Sequence, residues 1–191
     1  EDWKTWQKKL FAKIPLSMRA LRPEFVMTPE TWESNIMTLE DTNGRPVYRE
    51  TYNPETGEIL VDSIDWLHIN YSDTIAILAK NNRRAFINLN TAQLITPLIY
   101  EKAWEFACDR GIMVKSDTIY IFRRDGSIVN PLGFKYKGQY DLLYHRDKLI
   151  VNVDNDKVGL IDTAAQWVLP PSYSMIENEY QHRLYNTRLD D

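Results

Sequence analysis

The sequence predicts a mainly β protein made of stacked three-stranded β-meander repeats, with a small N-terminal α-helical cap. Three observations predict it. A nine-residue pattern recurs as AQLITPLIY at Ala92–Tyr100, GSIVNPLGF at Gly126–Phe134 and AQWVLPPSY at Ala165–Tyr173. From about Val47 onward, short apolar runs rich in β-branched and aromatic residues alternate with Asn, Asp and Gly turns, the pattern of strands and hairpins. Ahead of that point the apolar residues fall at helical spacing.

Taken in order, Trp3, Trp6, Leu10 and Ile14 form one stripe on a first helix, which Pro15 ends. The segment Leu16 to Phe25 has room for a short helix. In FVMTPETWESNIMTLE, Thr28 is a good N-cap, Pro29 suits the first helical position and Glu30 favours the positive end of the helix dipole. Trp32, Ile36 and Leu39 supply its apolar face. The cap is therefore set at residues 1–43 and the β-repeat domain at 44–191, with the boundary near Asn43-Gly44.

Within the β domain, Pro97, Pro131 and Pro170 lie 34 and 39 residues apart. That period is the length of a supersecondary unit that stacks on its neighbours. A fainter copy, GEILVD at Gly57–Asp62, precedes Ala92 by 35 residues and carries Asp62 where the others carry proline. Repeat units are expected at 47–66, 74–104, 111–144 and 148–176. Ahead of each proline lies a hairpin whose turn, Asn81-Asn82, Ser116-Asp117 or Asp154-Asn155-Asp156, uses residues that tolerate positive φ. The third run, LIT, IVN or WVL, ends at the proline, which cannot donate to a ladder.

With those anchors fixed, KVGLIDTAAQWVLPPSYSMI at Lys157–Ile176 resembles the WG (KWG) repeat family, through Lys157, Gly159, Leu160, Ile161, Asp162, Pro170 and Tyr173. Val158 stands where that pattern has an aromatic. In the unit ending at Tyr100, Ala85 replaces the glycine while Phe86, Ile87, Asn88 and Pro97 are retained; the next unit keeps Gly126 and Pro131, with Phe134 or Tyr140 as its aromatic. The resemblance covers roughly residues 47 to 176 and implies stacked meanders. It also implies kinship with bacterial proteins that look like immunity partners of polymorphic toxins.

Apart from that resemblance, the residues themselves specify positions in a fold. A proline that stops pairing, followed by an aromatic that buries a large face, closes each meander. Gly159 lets a neighbour approach closely, which a β-carbon would hinder.

Composition narrows the function classes. A chain of 191 residues with 12% aromatic content supports a sizeable core, and a formal charge of −4 argues against a nucleic-acid or anionic-membrane binder. Cys108 is the sole cysteine, so no intrachain disulfide forms; it reads as a small buried apolar position and fits a reducing, cytoplasmic setting. No apolar run reaches membrane-spanning length, and EDWKTWQKK is not a signal peptide. The chain starts at Glu1 rather than methionine, which leaves open whether residues or a leader precede it.

Catalytic chemistry finds no motif. The histidines His68, His145 and His182 are 77 and 37 residues apart, and no HExxH, CxxC, EF-hand, GxSxG, Walker A or GxGxxG pattern occurs, so neither metal nor cofactor is expected. Asp141, His145 and Asp147 form the best local acid–base cluster and read as a polar loop. Arg83, Arg84, Arg123 and Arg124 beside aromatics hint at nucleic acid, but in hairpin flanks such charge guards strand edges.

The expected function is accordingly a protein-binding one: an immunity protein, not an enzyme, that occludes the active site of a cognate toxin as a monomer in a 1:1 complex. Acidic residues would steer a basic partner and one or two aromatics would anchor it. The candidate contacts are Glu101, Trp104 and Glu105 in YEKAWEFACDRG, Tyr144 and His145 in YHRD, and Glu177 and Glu179 in IENEY. Two rivals stay open: a scaffold domain of a larger protein, and an enzyme using Asp141, His145 or Cys108.

Overall fold

Strand follows strand throughout the described part of the chain. The computed structural model describes residues 26–29, 36–40, 46–53, 56, 58–70, 72–138, 142–153, 157–179 and 184–188. No helix occurs among them. Two units are distinguished, Glu1–Leu98 and Ile99–Asp191.

In the first unit, β1 (Val26–Pro29), β2 (Ile36–Glu40), β3 (Pro46–Tyr52) and β4 (Ile59–Ile64) form an antiparallel sheet in chain order. This corrects the second helix of the expected cap. Val26 opposes Glu40 and Pro29 opposes Met37, so Thr28 and Pro29 sit in a strand instead of opening a helix, and Ile36 and Leu39 lie in its partner. The physical reason is the neighbour: β2 also pairs with β3, across the boundary expected at Asn43-Gly44, and a ladder on both sides outweighs a weak local preference for helix. The helices expected at Trp3–Ile14 and within Leu16–Phe25, and the side chain of Trp32, lie outside the described residues.

A second sheet of this unit holds β5 (Trp66–His68), β6 (Ile75–Lys80) and β7 (Arg83–Asn88). Ile64 of β4 packs with Ala76 and Leu78 of β6 and with Ile87 and Leu89, so the two sheets share a core.

The second unit repeats the plan. Strands β8 (Lys102–Ala107), β9 (Arg110–Lys115), β10 (Thr118–Phe122) and β11 (Phe134–Lys135) form one antiparallel sheet, and β12 (Lys148–Asn152), β13 (Val158–Asp162) and β14 (Trp167–Tyr173) another. Alternate residues Ile112 and Val114, Ile119 and Ile121, and Leu149 and Val151 point inward with Ile161, the period-two signature of faces packed on one core. The pair β15 (Met175–Glu179) and β16 (Leu184–Arg188) follows.

Two kinds of turn build the meanders. Asn81-Asn82, Cys108-Asp109, Ser116-Asp117 and Arg146-Asp147 all have positive φ at both positions, between 46° and 62°. These are two-residue type I′ hairpins, whose twist matches the flanking strands. The other turn explains the small residue of the recurring pattern: Ala92, Gly126 and Ala165 have φ of 55°, 84° and 58°. Each precedes the residue whose carbonyl closes the hairpin, through Asn88 N–Gln93 O at 3.0 Å, Arg123 N–Ser127 O at 2.9 Å and Asp162 N–Gln166 O at 3.0 Å.

The prolines have a second structural companion. Thr96 and Asn130, each just before a repeat proline, are buried, and their side chains accept the amides of Phe86 (2.9 Å) and Ile121 (2.7 Å). The third runs there form only single bridges, Ile87↔Leu94 and Phe122↔Ile128. In the last repeat the run is a full strand, β14, which continues through Pro170 and Pro171 to Tyr173 opposite Val158.

Candidate protein-binding surface

The second unit carries a row of partly exposed aromatics along the margin of its core. Register places them. Trp104 opposes Ile112 and Phe134 opposes Ile119, so both lie on the face that packs inward, at opposite edges of one sheet. Tyr136, two residues after Phe134, packs on the same core, and its amide donates to the Asp117 carbonyl at 2.7 Å, tying it to the β9–β10 turn.

The rings then pair. Trp104 and Tyr136 have centroids 6.1 Å apart at 54°, and Lys102 Nζ donates to the Tyr136 hydroxyl at 2.8 Å. Phe134 meets Trp167 edge to face at 5.7 Å and 74°. Trp167, 43% exposed, opposes Ile161 and covers Gly159. A β-carbon at Gly159 would stand 2.4 Å from the Trp167 ring, which is why that position is glycine. Leu132, on the turn just before Phe134, is 95% exposed.

Among the described residues no group of three or more His, Cys, Asp or Glu side chains is placed to hold a metal ion. Burial raises the Tyr100 and Tyr144 hydroxyls above the ordinary phenol range, with smaller contributions from Tyr120 to the first and from Asp162 and Cys108 to the second; Arg110 opposes the shift at Tyr144. Such hydroxyls are protonated structural groups at neutral pH.

The expected contact residues fall in different settings. Glu101 leads into β8; its amide donates to the Val114 carbonyl at 2.8 Å and its carboxylate accepts the Ser116 amide at 3.4 Å. Trp104 belongs to the aromatic row, and Glu105 lies half-buried in the irregular stretch of β8 between Trp104 and Ala107. Tyr144 is only 4% exposed and donates to the Asp162 carbonyl at 3.1 Å, a core position that offers a partner little. His145, half-buried, exchanges backbone hydrogen bonds with Lys148 around the Arg146-Asp147 turn. Glu177 and Glu179 oppose Asn186 and Leu184 in the β15–β16 pair, and their side chains lie outside the described residues.

Cys108 departs from its expected burial. It is exposed at the tip of the β8–β9 hairpin, where its φ of 51° serves the turn, and its sulfur accepts the Asp147 amide at 3.4 Å. An apolar context in sequence, AWEFAC, belongs to the strand that ends one residue earlier. Asp141 and His182 lie outside the described residues. Arg124 lies over the Phe106 ring, 5.4 Å from its centroid, and 3.7 Å from the Asp109 carboxylate, so it has an aromatic and an anionic neighbour within the chain.

Sequence reasoning missed Tyr136 and treated Phe134 and Trp167 only as parts of the repeat. The available signal was the alternation Phe134-x-Tyr136 after a proline turn, which puts two aromatics on one face.

No family model matches the chain, and no curated protein matches it. Among solved structures it is similar to several chains at TM-scores below 0.5. BamB from Moraxella catarrhalis is 17% identical at a TM-score of 0.42, over 74% of this chain and 48% of that one. KlHsv2 with loop 6CD replaced by a Gly-Ser linker is 11% identical at 0.37, over 76% of this chain and 52% of that one. Kluyveromyces lactis Hsv2p is 10% identical at 0.26, over 88% and 82%. The chain spans about half the length of the first two.

Proposed function

We propose that the chain is a WG-like β-repeat module that binds a protein partner, and that its concrete form is an immunity protein which covers and blocks the active cleft of a cognate bacterial toxin domain. The observation that carries the binding claim is the aromatic row Trp104, Tyr136, Phe134 and Trp167. Partly exposed aromatics fixed on paired strands lose little conformational entropy on binding, and Trp, Tyr and Arg dominate interface hot spots. WG-like character is supported by the shared roles of Asn88 and Asp162, whose side chains accept amides of the following turn, and by the left-handed small residues of the repeats.

The immunity form rests on the WG resemblance and on the lack of catalytic motifs in the sequence. Such an inhibitor works by occlusion in a 1:1 complex, in the cytoplasm where the toxin would act, and itself performs no reaction. Glu101 and Glu105 beside Trp104 suit a basic partner surface and would speed encounter.

The test is capture of partners from the native lysate at moderate salt, identified by mass spectrometry. A single stoichiometric partner with a toxin-like C-terminal domain supports the reading. Recovery of a large assembly, or of no specific partner where a toxin is demonstrably expressed, overturns it in favour of a scaffold.

A further inference from the structure

We propose that Asp125-Gly126, in the turn after β10, is a latent backbone-isomerisation site that Ser127 and Arg123 hold closed. The turn is the sequence RRDGS, and five hydrogen bonds hold its geometry. Arg123 N donates to Ser127 O at 2.9 Å, and Gly126 N donates back to Arg123 O at 3.0 Å. Ser127 donates to one Asp125 carboxylate oxygen twice, from its amide at 2.9 Å and its hydroxyl at 2.6 Å. Arg123 Nη1 in turn donates to the Ser127 hydroxyl at 3.3 Å.

The chemistry needs only water. In an aspartyl–glycyl bond nothing on the glycine shields the backbone nitrogen. The Gly126 nitrogen attacks Asp125 Cγ of the protonated carboxyl; an N–Cγ bond forms, and the nitrogen's hydrogen leaves with the carboxyl hydroxyl as one water. The resulting five-membered imide is reopened by water. Attack at Cγ restores aspartate, whereas attack at the former backbone carbonyl leaves the chain running through Cβ as isoaspartate.

Both reactants are engaged elsewhere in the folded turn. The Gly126 N–H is committed to the Arg123 carbonyl, and φ of 84° at Gly126 fixes that arrangement. The Asp125 carboxyl is held below the ordinary carboxylate range, chiefly by the two Ser127 hydrogen bonds and also by the Arg123 charge, so the protonated electrophile is scarce. Arg124, the other charge in the turn, lies near Asp109. Isomerisation would add one atom to the backbone inside the Arg123–Ser127 closure. The Phe122↔Ile128 bridge and the Asn130 clamp on Ile121 directly follow that closure, so the altered chain would lose the third run of this repeat.

The experiment incubates the full chain in warm, mildly acidic buffer and quantifies isoaspartate at position 125 by peptide mapping with electron-transfer fragmentation. Folded wild type, wild type kept unfolded in urea, and Ser127→Ala are compared, with circular dichroism confirming that the variant folds. The unfolded chain is expected to isomerise several-fold faster than the folded one, and Ser127→Ala about fivefold faster than wild type, the effect of losing one charge-assisted hydrogen bond. Equal rates in folded and unfolded wild type, or an unchanged rate in a folded Ser127→Ala, would overturn the proposal. Should the variant fail to fold, the wild-type pair alone decides.

Discussion

The side chain of Asn130 does for Ile121 what a neighbouring strand would otherwise do: its Oδ1 accepts the Ile121 amide at 2.7 Å while its Nδ2 donates to the Ile119 carbonyl at 3.1 Å. Pro131 follows immediately, with no N–H to offer and a chain direction that leaves the ladder. Thr96 ahead of Pro97 serves Phe86 in the same way. Asn130→Ala would orphan the buried Ile121 amide, as Thr96→Val would orphan that of Phe86, and each is expected to cost about 1–3 kcal/mol. Urea unfolding should show lowered midpoints at unchanged slope.

Gly159 tests close packing. Gly159→Ala drives a β-carbon into the Trp167 ring and is expected to destabilise by about 1–3 kcal/mol. In Trp167→Ala the ring is gone and the Leu169 carbonyl, 3.0 Å from the added carbon, remains, so adding Gly159→Ala there should cost less than in wild type but not nothing. A double-mutant cycle by urea unfolding reads that difference.

The left-handed small residues make a signed prediction. Ala165→Gly relieves a strained φ of 58° and should be neutral or stabilising by up to about 1 kcal/mol, whereas Gly126→Ala at φ 84° should destabilise by about 1 kcal/mol or more. Thermal melts of the two variants should move in opposite directions, or only the second should move.

Alkaline pH probes the buried phenols. Tyr100 and Tyr144 resist ionisation in the folded chain, so the unfolded chain gives up those protons first as pH rises. Their contribution is fully present below the ordinary tyrosine range and is lost as pH rises above about 10, with the deeply buried Tyr144 approaching a slope of about 1.4 kcal/mol per pH unit and Tyr100 adding in the same direction. Tyr144→Phe should flatten that slope while costing about 1 kcal/mol at neutral pH through the lost bond to Asp162.

Much of the fold was legible because the repeat is written in residues with narrow conformational roles. Proline, the small left-handed residue and the Asn or Asp of the turns each announce one backbone state. The region around Thr28 to Leu39 was not legible, because Pro29 and the Ile36-Leu39 spacing suit either element and the deciding ladder with β3 is remote in sequence. Trp104 stood out as a tryptophan between Glu101 and Glu105 in YEKAWEFACDRG; its partnership with Tyr136, and that of Phe134 with Trp167, depends on which strands the fold brings together, which no spacing encodes. Cys108 misled because it carries no turn signal of its own: the hairpin tip falls on it at φ 51° directly after the apolar strand residues of β8.

The aromatic row yields the binding prediction. Trp104→Ala should weaken capture of the partner by about tenfold or more if it anchors the interface, while an exposed position outside the row, such as Glu58→Ala, should leave capture unchanged. Folding of each variant is checked first by near-ultraviolet circular dichroism.

The measurement that bears most directly on the proposed function is titration of the captured toxin domain's own activity with the purified chain. Occlusion predicts that activity falls linearly to background at one equivalent, and that Trp104→Ala shifts the curve to higher concentration. A partner that binds with full stoichiometry yet keeps its activity at excess chain would contradict the account.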